Sequence, residues 1–162
     1  MKKEYNIRKA QSDDAKGIHE VLLRAFEEFR EFYSPEGFSD TVLSEQIALE
    51  RMKEMTVFVA IEHNGKIIGT ISWKKVSENE GHIRGMAVHP KKQGKIGPAA
   101  ELLHKVENDA LSQGCTYLTL DTTAILKRAQ NFYKKHGFKK TGKTGDFFGS
   151  TIYEFAKKIS IK

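Results

Sequence analysis

The sequence predicts a mixed α/β fold, and three observations carry the prediction. Segments of helical and strand periodicity follow one another in the order β-α-α-β-β-β-α-β-α-β-β. A strand-turn-helix-strand unit in the middle predicts a parallel pair joined by a crossover helix within a mixed sheet. The chain has 162 residues, 39% of them hydrophobic, a single-domain length with enough apolar side chain for a core. No repeat, low-complexity tract or linker interrupts it, so one domain over residues 1–162 is expected.

Residues 5–9 read as a short strand with Tyr5 and Ile7 on one face. Ser12 is placed to cap a helix whose first turn holds Asp13 and Asp14, acids that suit the positive end of a helix dipole. Ile18, Val21, Leu22, Ala25, Phe26 and Phe29 recur at helical spacing and define a core face. Ser34-Pro35-Glu36-Gly37 breaks that helix, and a second, weaker one starts at Ser39 or Asp40 and runs to about Lys53. Residues 57–62 and 66–74 are β-rich runs joined through Asn64-Gly65, the preferred pair for a two-residue hairpin turn.

A fourth strand spans roughly residues 81–88. Ile83 and Met86 are three apart while Met86 and Val88 are two apart, so a flat strand cannot keep all three on one face. A bulge near Gly85 restores the parity. Beyond Pro90 lies a basic, glycine-containing turn, Lys91-Lys92-Gln93-Gly94-Lys95-Ile96-Gly97. Pro98 then opens a helix with Ala99, Leu102, Leu103, Val106 and Ala110 on one face, and Gly114 ends it. Residues 116–121 read as a strand, 126–135 as a helix, 137–141 as a strand and 150–158 as the last strand.

Lysine and arginine number 27 against 21 acids, a net charge of +6 that favours anionic partners without choosing among them. The longest apolar run, Val57-Phe58-Val59-Ala60-Ile61, is far too short to span a bilayer, so no membrane partner is expected. The polar start of the chain lacks the apolar stretch of a signal peptide, and the single cysteine, Cys115, excludes an internal disulfide. Both features fit a cytoplasmic location.

The segment from His82 to Gly97 carries the chemistry. An irregular strand leads through a basic turn into a helix N-terminus, where backbone N–H groups, the helix dipole and lysines converge to favour an anion. No Gly-Lys-Ser/Thr follows, and the glycine spacing is not that of a dinucleotide fingerprint. A bulge also frees main-chain groups in mid-sheet, with which an extended ligand can pair as an added strand.

Ile83-Arg84-Gly85-Met86-Ala87-Val88-His89-Pro90, then Gln93-Gly94-Lys95-Ile96-Gly97, and later Ala129 through Phe138 (AQNFYKKHGF) resemble the GNAT superfamily of acetyl-CoA-dependent N-acetyltransferases. The family's element order agrees along almost the whole chain. The resemblance implies a GNAT-type mixed, partly open sheet with helices on both faces and the bulge in the fourth strand. It implies acetyl-CoA as cosubstrate, with the pantetheine arm along Met86, Ala87 and Val88. The pyrophosphate would sit on Gln93, Gly94, Lys95, Ile96, Gly97 and Pro98, helped by the charge of Lys91, Lys92 and Lys95. Asn131 joins the cofactor-binding set.

The turn departs from the family pattern Gln/Arg-x-x-Gly-x-Gly/Ala. Counting from Gln93 puts Ile96 and Pro98 at the two small positions, unless one glycine is deleted before Ile96 so that Gly97 takes the second. Pro98 also removes one N–H from the phosphate site.

Tyr133 matches the tyrosine that faces the CoA sulfur in the family and can protonate the leaving thiolate. Its pKa of about 10 against about 8.5 for a thiol suits that task, although Leu126, Ala129 and Tyr133 also form a helical core stripe. Three residues are candidates for the base that takes the amine proton: Asp121 at the end of its strand, His82, and Glu80 on the same strand face as His82. Asp121 can equally cap the next turn, and His82 can simply be solvated.

The acceptor, a small-molecule or peptide amine by resemblance, falls to the segment 26–38. Phe32, Tyr33 and Phe38 cannot all join Phe26 and Phe29 on the core face, so some aromatic surface should line a pocket. Glu27, Glu28, Glu31 and Glu36 favour a cationic amine there, or form a solvated helix edge. Cys115 reads as a packing residue, and the six histidines have no metal-ligand spacing, so no metal is expected. Dimers are common in the family, which leaves a homodimer open. Two rivals remain: a CoA-binding regulatory protein without turnover, and a nucleic-acid binder using Lys134, Lys135, Lys139, Lys140 and Lys143. The second is disfavoured because only Phe138 interleaves those lysines.

Overall fold

The computed structural model describes residues 4–93 and 97–161. Seven strands form one mixed sheet in the order β1-β2-β3-β4-β5-β7-β6, where β1 is Tyr5–Lys9, β2 Thr56–Glu62, β3 Ile67–Lys75, β4 Glu80–Val88, β5 Tyr117–Thr123, β6 Lys139–Phe147 and β7 Ser150–Lys158. The helices are α1 (Ala15–Phe26), α2 (Pro35–Thr41), α3 (Glu45–Glu54), α4 (Pro98–Ser112) and α5 (Lys127–Lys135). β4 and β5 are parallel with α4 as their crossover, as the strand-turn-helix-strand pattern predicts, and the other pairs are antiparallel.

Strand alternation distributes the core to both faces. On β2, Phe58 and Ala60 join the cluster under α4, while Val57 and Val59 join the cluster under α1 and α3. The predicted α4 face holds: Leu102, Leu103, Val106 and Ala110 are fully buried. Each of the leucines contributes about 1.5–3 kcal/mol by that burial.

β4 shows how the sequence irregularity is accommodated. Ile83 and Val88 both belong to the α4-side cluster although an odd spacing separates them, and Met86 packs against that cluster too. Between the pairs Ser72↔Arg84 and Thr70↔Ala87 the register shifts, so β4 advances one residue more than β3. Gly85 sits in this shift at φ +64°, where a side chain is strained.

Five local expectations are corrected. Ser12 does not cap α1; it begins a 3-10 turn, and the Asp14 carboxylate instead accepts the Gln11 N–H at 2.7 Å while gripping Arg8 at 2.7 and 3.1 Å. The first helix does end before Ser34, but Ser34-Pro35 also starts the next one ahead of Ser39, because Ser34 Oγ accepts the Gly37 N–H and Pro35 fits the first turn. The weak second helix is therefore two, the later one capped by Ser44 Oγ on the Ile47 N–H. The hairpin loop is His63-Asn64-Gly65, since Glu62 N–H bonds the Lys66 carbonyl and Gly65 takes φ +90°. β6 also runs well past Thr141, to Phe147, through an irregularity between Lys140 and Thr144.

Candidate active site

β4 and β5 pair only from Glu80↔Tyr117 to Ile83↔Leu120. β5 stays paired with β7 along its whole length, from Tyr117↔Lys158 to Thr123↔Ile152, while the second half of β4 has no partner on its β5 side among the described residues. The opening is a cavity of about 710 Å³. Ligand pockets typically fall between roughly 300 and 1,000 Å³.

α5 crosses the opening. Its Gln130 side chain donates to the Thr123 and Ala124 carbonyls at 3.0 and 3.3 Å, which ties the helix to the end of β5. Tyr133 packs edge-on against Phe132 and Phe138, with ring centroids 5.5 and 5.7 Å away, and its hydroxyl donates to Met86 Sδ at 3.4 Å. That hydroxyl therefore faces β4 at the unpaired stretch. Burial pushes its pKa above the ordinary tyrosine value.

On the sheet side, four side chains form a chain. Thr119 Oγ1 donates to Glu80 Oε2 at 2.6 Å, and Tyr117 donates to the other carboxylate oxygen at 3.1 Å. With its own proton so committed, Thr119 Oγ1 accepts from His82 Nδ1 at 2.7 Å. Nδ1 therefore carries a proton, and Nε2 faces Asp121 Oδ2 at 3.7 Å. Burial raises the Asp121 pKa and Glu154 adds to it, while His82 and Arg84 pull it down. The structure thus brings His82 and Asp121 together with Tyr133 on one cavity. Glu80 lies behind them as an anchor. Sequence reasoning missed Thr119; alternation puts it on the Asp121 face of β5, but only the parallel register sets it opposite His82.

The turn after β4 differs from expectation in part. Lys92 is paired with Glu62 at 3.1 Å, and the Gln93 side chain is engaged, donating to the Val88 carbonyl at 2.8 Å and accepting from Arg128 at 3.1 Å. Gly94, Lys95 and Ile96 lie outside the described residues. Gly97 precedes Pro98 at the start of α4, and among the described residues no side chain caps that helix. The turn is electropositive: burial lowers the His89 pKa, and Lys66, Arg24, Lys91 and Lys92 lower it further. Asn131 and Gln93 line the cavity, as do Met86, Ala87 and Val88. Thr122 Oγ1 is buried with no hydrogen-bond partner among the described residues.

The opposite wall is aromatic, but its members are Phe26, Phe29, Tyr33 and Phe147, not Phe32 or Phe38. Phe38 is core and Phe32 is 54% exposed. Tyr33 holds this wall by a 3.2 Å hydrogen bond to Thr123 Oγ1 and an edge contact with Phe147. Of the four expected glutamates only Glu28 lines the cavity, and Glu27 is paired with Arg30 at 2.8 Å. Cys115 is buried, and burial raises its thiol pKa, consistent with packing. Among the described residues no three His, Cys, Asp or Glu side chains form a metal-ligand set, and no helix is long and apolar enough to cross a membrane.

The site is thus a parallel strand pair that parts over a cavity, with the crossover helix contributing Ala99 to its lining. A family model described as "Acetyltransferase (GNAT) family" matches residues 18–138, most of the chain. The chain belongs to the GNAT acetyltransferase family. No curated protein matches it. Solved structures share the fold at low identity. A GNAT-family acetyltransferase from Staphylococcus aureus is 19% identical with a TM-score of 0.77, covering 96% of this chain and 99% of that one. The PaiA N-acetyltransferase of Thermoplasma acidophilum, solved with coenzyme A, is 20% identical with a TM-score of 0.78, covering 96% and 99%. An acetyltransferase from Streptococcus agalactiae is 16% identical with a TM-score of 0.78, covering 98% and 100%.

Proposed function

We propose that residues 1–162 form one N-acetyltransferase domain that moves the acetyl group of acetyl-CoA to a primary amine by direct attack in a ternary complex. The observation that carries this reading is the parting of β4 from β5 past Ile83 and Leu120, over a cavity lined by Tyr133, His82 and Asp121.

Several features fit acetyl-CoA. The unpaired half of β4 offers main-chain groups of Met86, Ala87 and Val88 to an extended, amide-bearing arm. The electropositive turn and the uncapped start of α4 at Gly97 and Pro98 suit the phosphates, with Gly94, Lys95 and Ile96 completing the turn. Thr122 Oγ1 is an unsatisfied group on the same cavity, and Asn131 lines it from α5. Gln93 shapes the turn through Val88 and Arg128.

A primary amine is mostly protonated at pH 7, and freeing it costs about 4–5 kcal/mol. His82 Nε2 takes that proton, and Asp121, 3.7 Å away, stabilises the imidazolium. The amine nitrogen bonds to the acetyl carbonyl carbon while a backbone N–H near Met86 or Ala87 stabilises the negative charge on its oxygen. The C–S bond then breaks, and the Tyr133 hydroxyl, already pointed at β4, donates its proton to the thiolate and is reprotonated from solvent.

Intact-mass measurement after mixing with acetyl-CoA alone tests the direct route. Unmodified protein with no burst of CoA is expected. An acetylated protein that passes its acetyl group to an amine would overturn it.

A further inference from the structure

Arg51 is a cation whose guanidinium has no hydrogen bond or ion pair among the described residues. It stands on α3, lines a small pocket together with Ile18, Leu22, Val57 and Gly85, and also lines the main cavity. A Cβ on Gly85 would stand 2.6 Å from Arg51 Nη1, so the guanidinium lies on the one residue type that leaves it room. Arg84 and the carboxylates of Asp40 and Glu54 act on it only at a distance, and Asp40 is already engaged by Arg84 at 3.3 Å. Burial, then Arg84, push its pKa down to about 10, so the cation is held there at a cost.

Asp40 thus pairs with Arg84 and leaves the Arg51 guanidinium without a carboxylate of its own, on a cavity that Phe26, Phe29 and Phe147 also line. The cationic turn after β4 lies at the other end of that strand's unpaired half, so Arg51 is not part of it. The geometry points to Arg51 as the seat of a carboxylate carried by the acceptor itself: the acceptor is an amino-acid-type amine with an apolar side chain, not a simple alkylamine or polyamine. The inference rests on the acetyl-transfer reading, since it names the acceptor for that same site. An amino acid's carboxylate supplies the missing partner for Arg51, and its α-amine remains free for His82. The aromatic residues then meet its side chain.

The test uses matched pairs: L-phenylalanine with 2-phenylethylamine, L-leucine with isoamylamine, and L-methionine with 3-(methylthio)propylamine. CoA release and N-acetyl product are read for each. The acid of each pair should have kcat/KM about 10- to 100-fold above its decarboxylated partner, the range of a charge-assisted hydrogen bond. Arg51→Gln should collapse that ratio towards one through KM, and Arg51→Lys should restore part of it. Acetyl-CoA affinity, measured by calorimetry on the same folded variants, should hold. Equal or better turnover of the decarboxylated amines, or a ratio that survives Arg51→Gln, overturns the inference and leaves the acetyltransferase reading standing. Loss of acetyl-CoA binding in Arg51→Gln also overturns it, reassigning Arg51 to the cosubstrate. No product from either series overturns the acetyl-transfer reading and the inference with it.

Discussion

Tyr133→Phe separates a catalytic hydroxyl from a core aromatic. The ring is 8% exposed and keeps its contacts with Phe132 and Phe138 in the variant. Among the described residues the deleted hydroxyl has one partner, Met86 Sδ at 3.4 Å, and a thioether is a weak acceptor whose loss of a donor leaves no strong group orphaned. Stability should therefore change by less than about 1 kcal/mol. The rate should not be spared. Removing a general acid costs roughly 10²- to 10⁴-fold, or about 3–5 kcal/mol of barrier. The assay pairs urea denaturation with CoA release at saturating acetyl-CoA. A second substrate sharpens it: an acetyl thioester of a more acidic thiol needs less protonation and should narrow the gap between variant and wild type. A variant that folds normally and keeps kcat within about threefold of wild type would refute the assignment and leave Tyr133 a packing residue.

Thr119→Val removes the oxygen that fixes His82; kcat should fall about tenfold or more with acetyl-CoA KM little changed, and Thr119→Ser should recover most of it. An unaltered pH–rate profile in the valine variant would argue against a tautomer-setting role. Gly85→Ala puts a side chain at φ +64° and 2.6 Å from Arg51 Nη1, so unfolding free energy should drop by at least about 1–2 kcal/mol in urea titrations. Asp121, with a pKa raised mainly by burial, is protonated in both states in strong acid. As pH rises through the interval between its unfolded and folded values, the folded state resists ionisation and loses stability. Asp121→Asn should accordingly gain stability relative to wild type from acid to neutral pH, and a difference flat with pH would contradict the raised value.

Local periodicity made much of the fold legible. The α4 face, the β2–β3 hairpin and the parity defect around Gly85 all follow from residues close in the chain. Signals with two meanings were misread. Ser34-Pro35 is both a helix breaker and a helix start, and only packing of Gly37 and Phe38 into the core decides for the start. The site divides the same way. Tyr133 stands in a motif that the sequence displays, His82 and Asp121 at strand positions it marks, and the cavity gathers all three. Thr119 and Arg51 carry no local mark. One depends on the parallel register of β4 with β5, the other on the Arg51 side chain reaching Gly85 from α3, and neither contact exists until the sheet is assembled.

The most direct test of the central claim is to incubate the protein with acetyl-CoA and a panel of primary amines, with product identified by mass spectrometry. The account predicts an N-acetylated amine formed in step with released CoA, and sharply less of it with Tyr133→Phe. Acetyl-CoA that binds the folded protein yet yields no acetylated amine would contradict it, and would mean that this cavity holds the thioester without transferring its acetyl group.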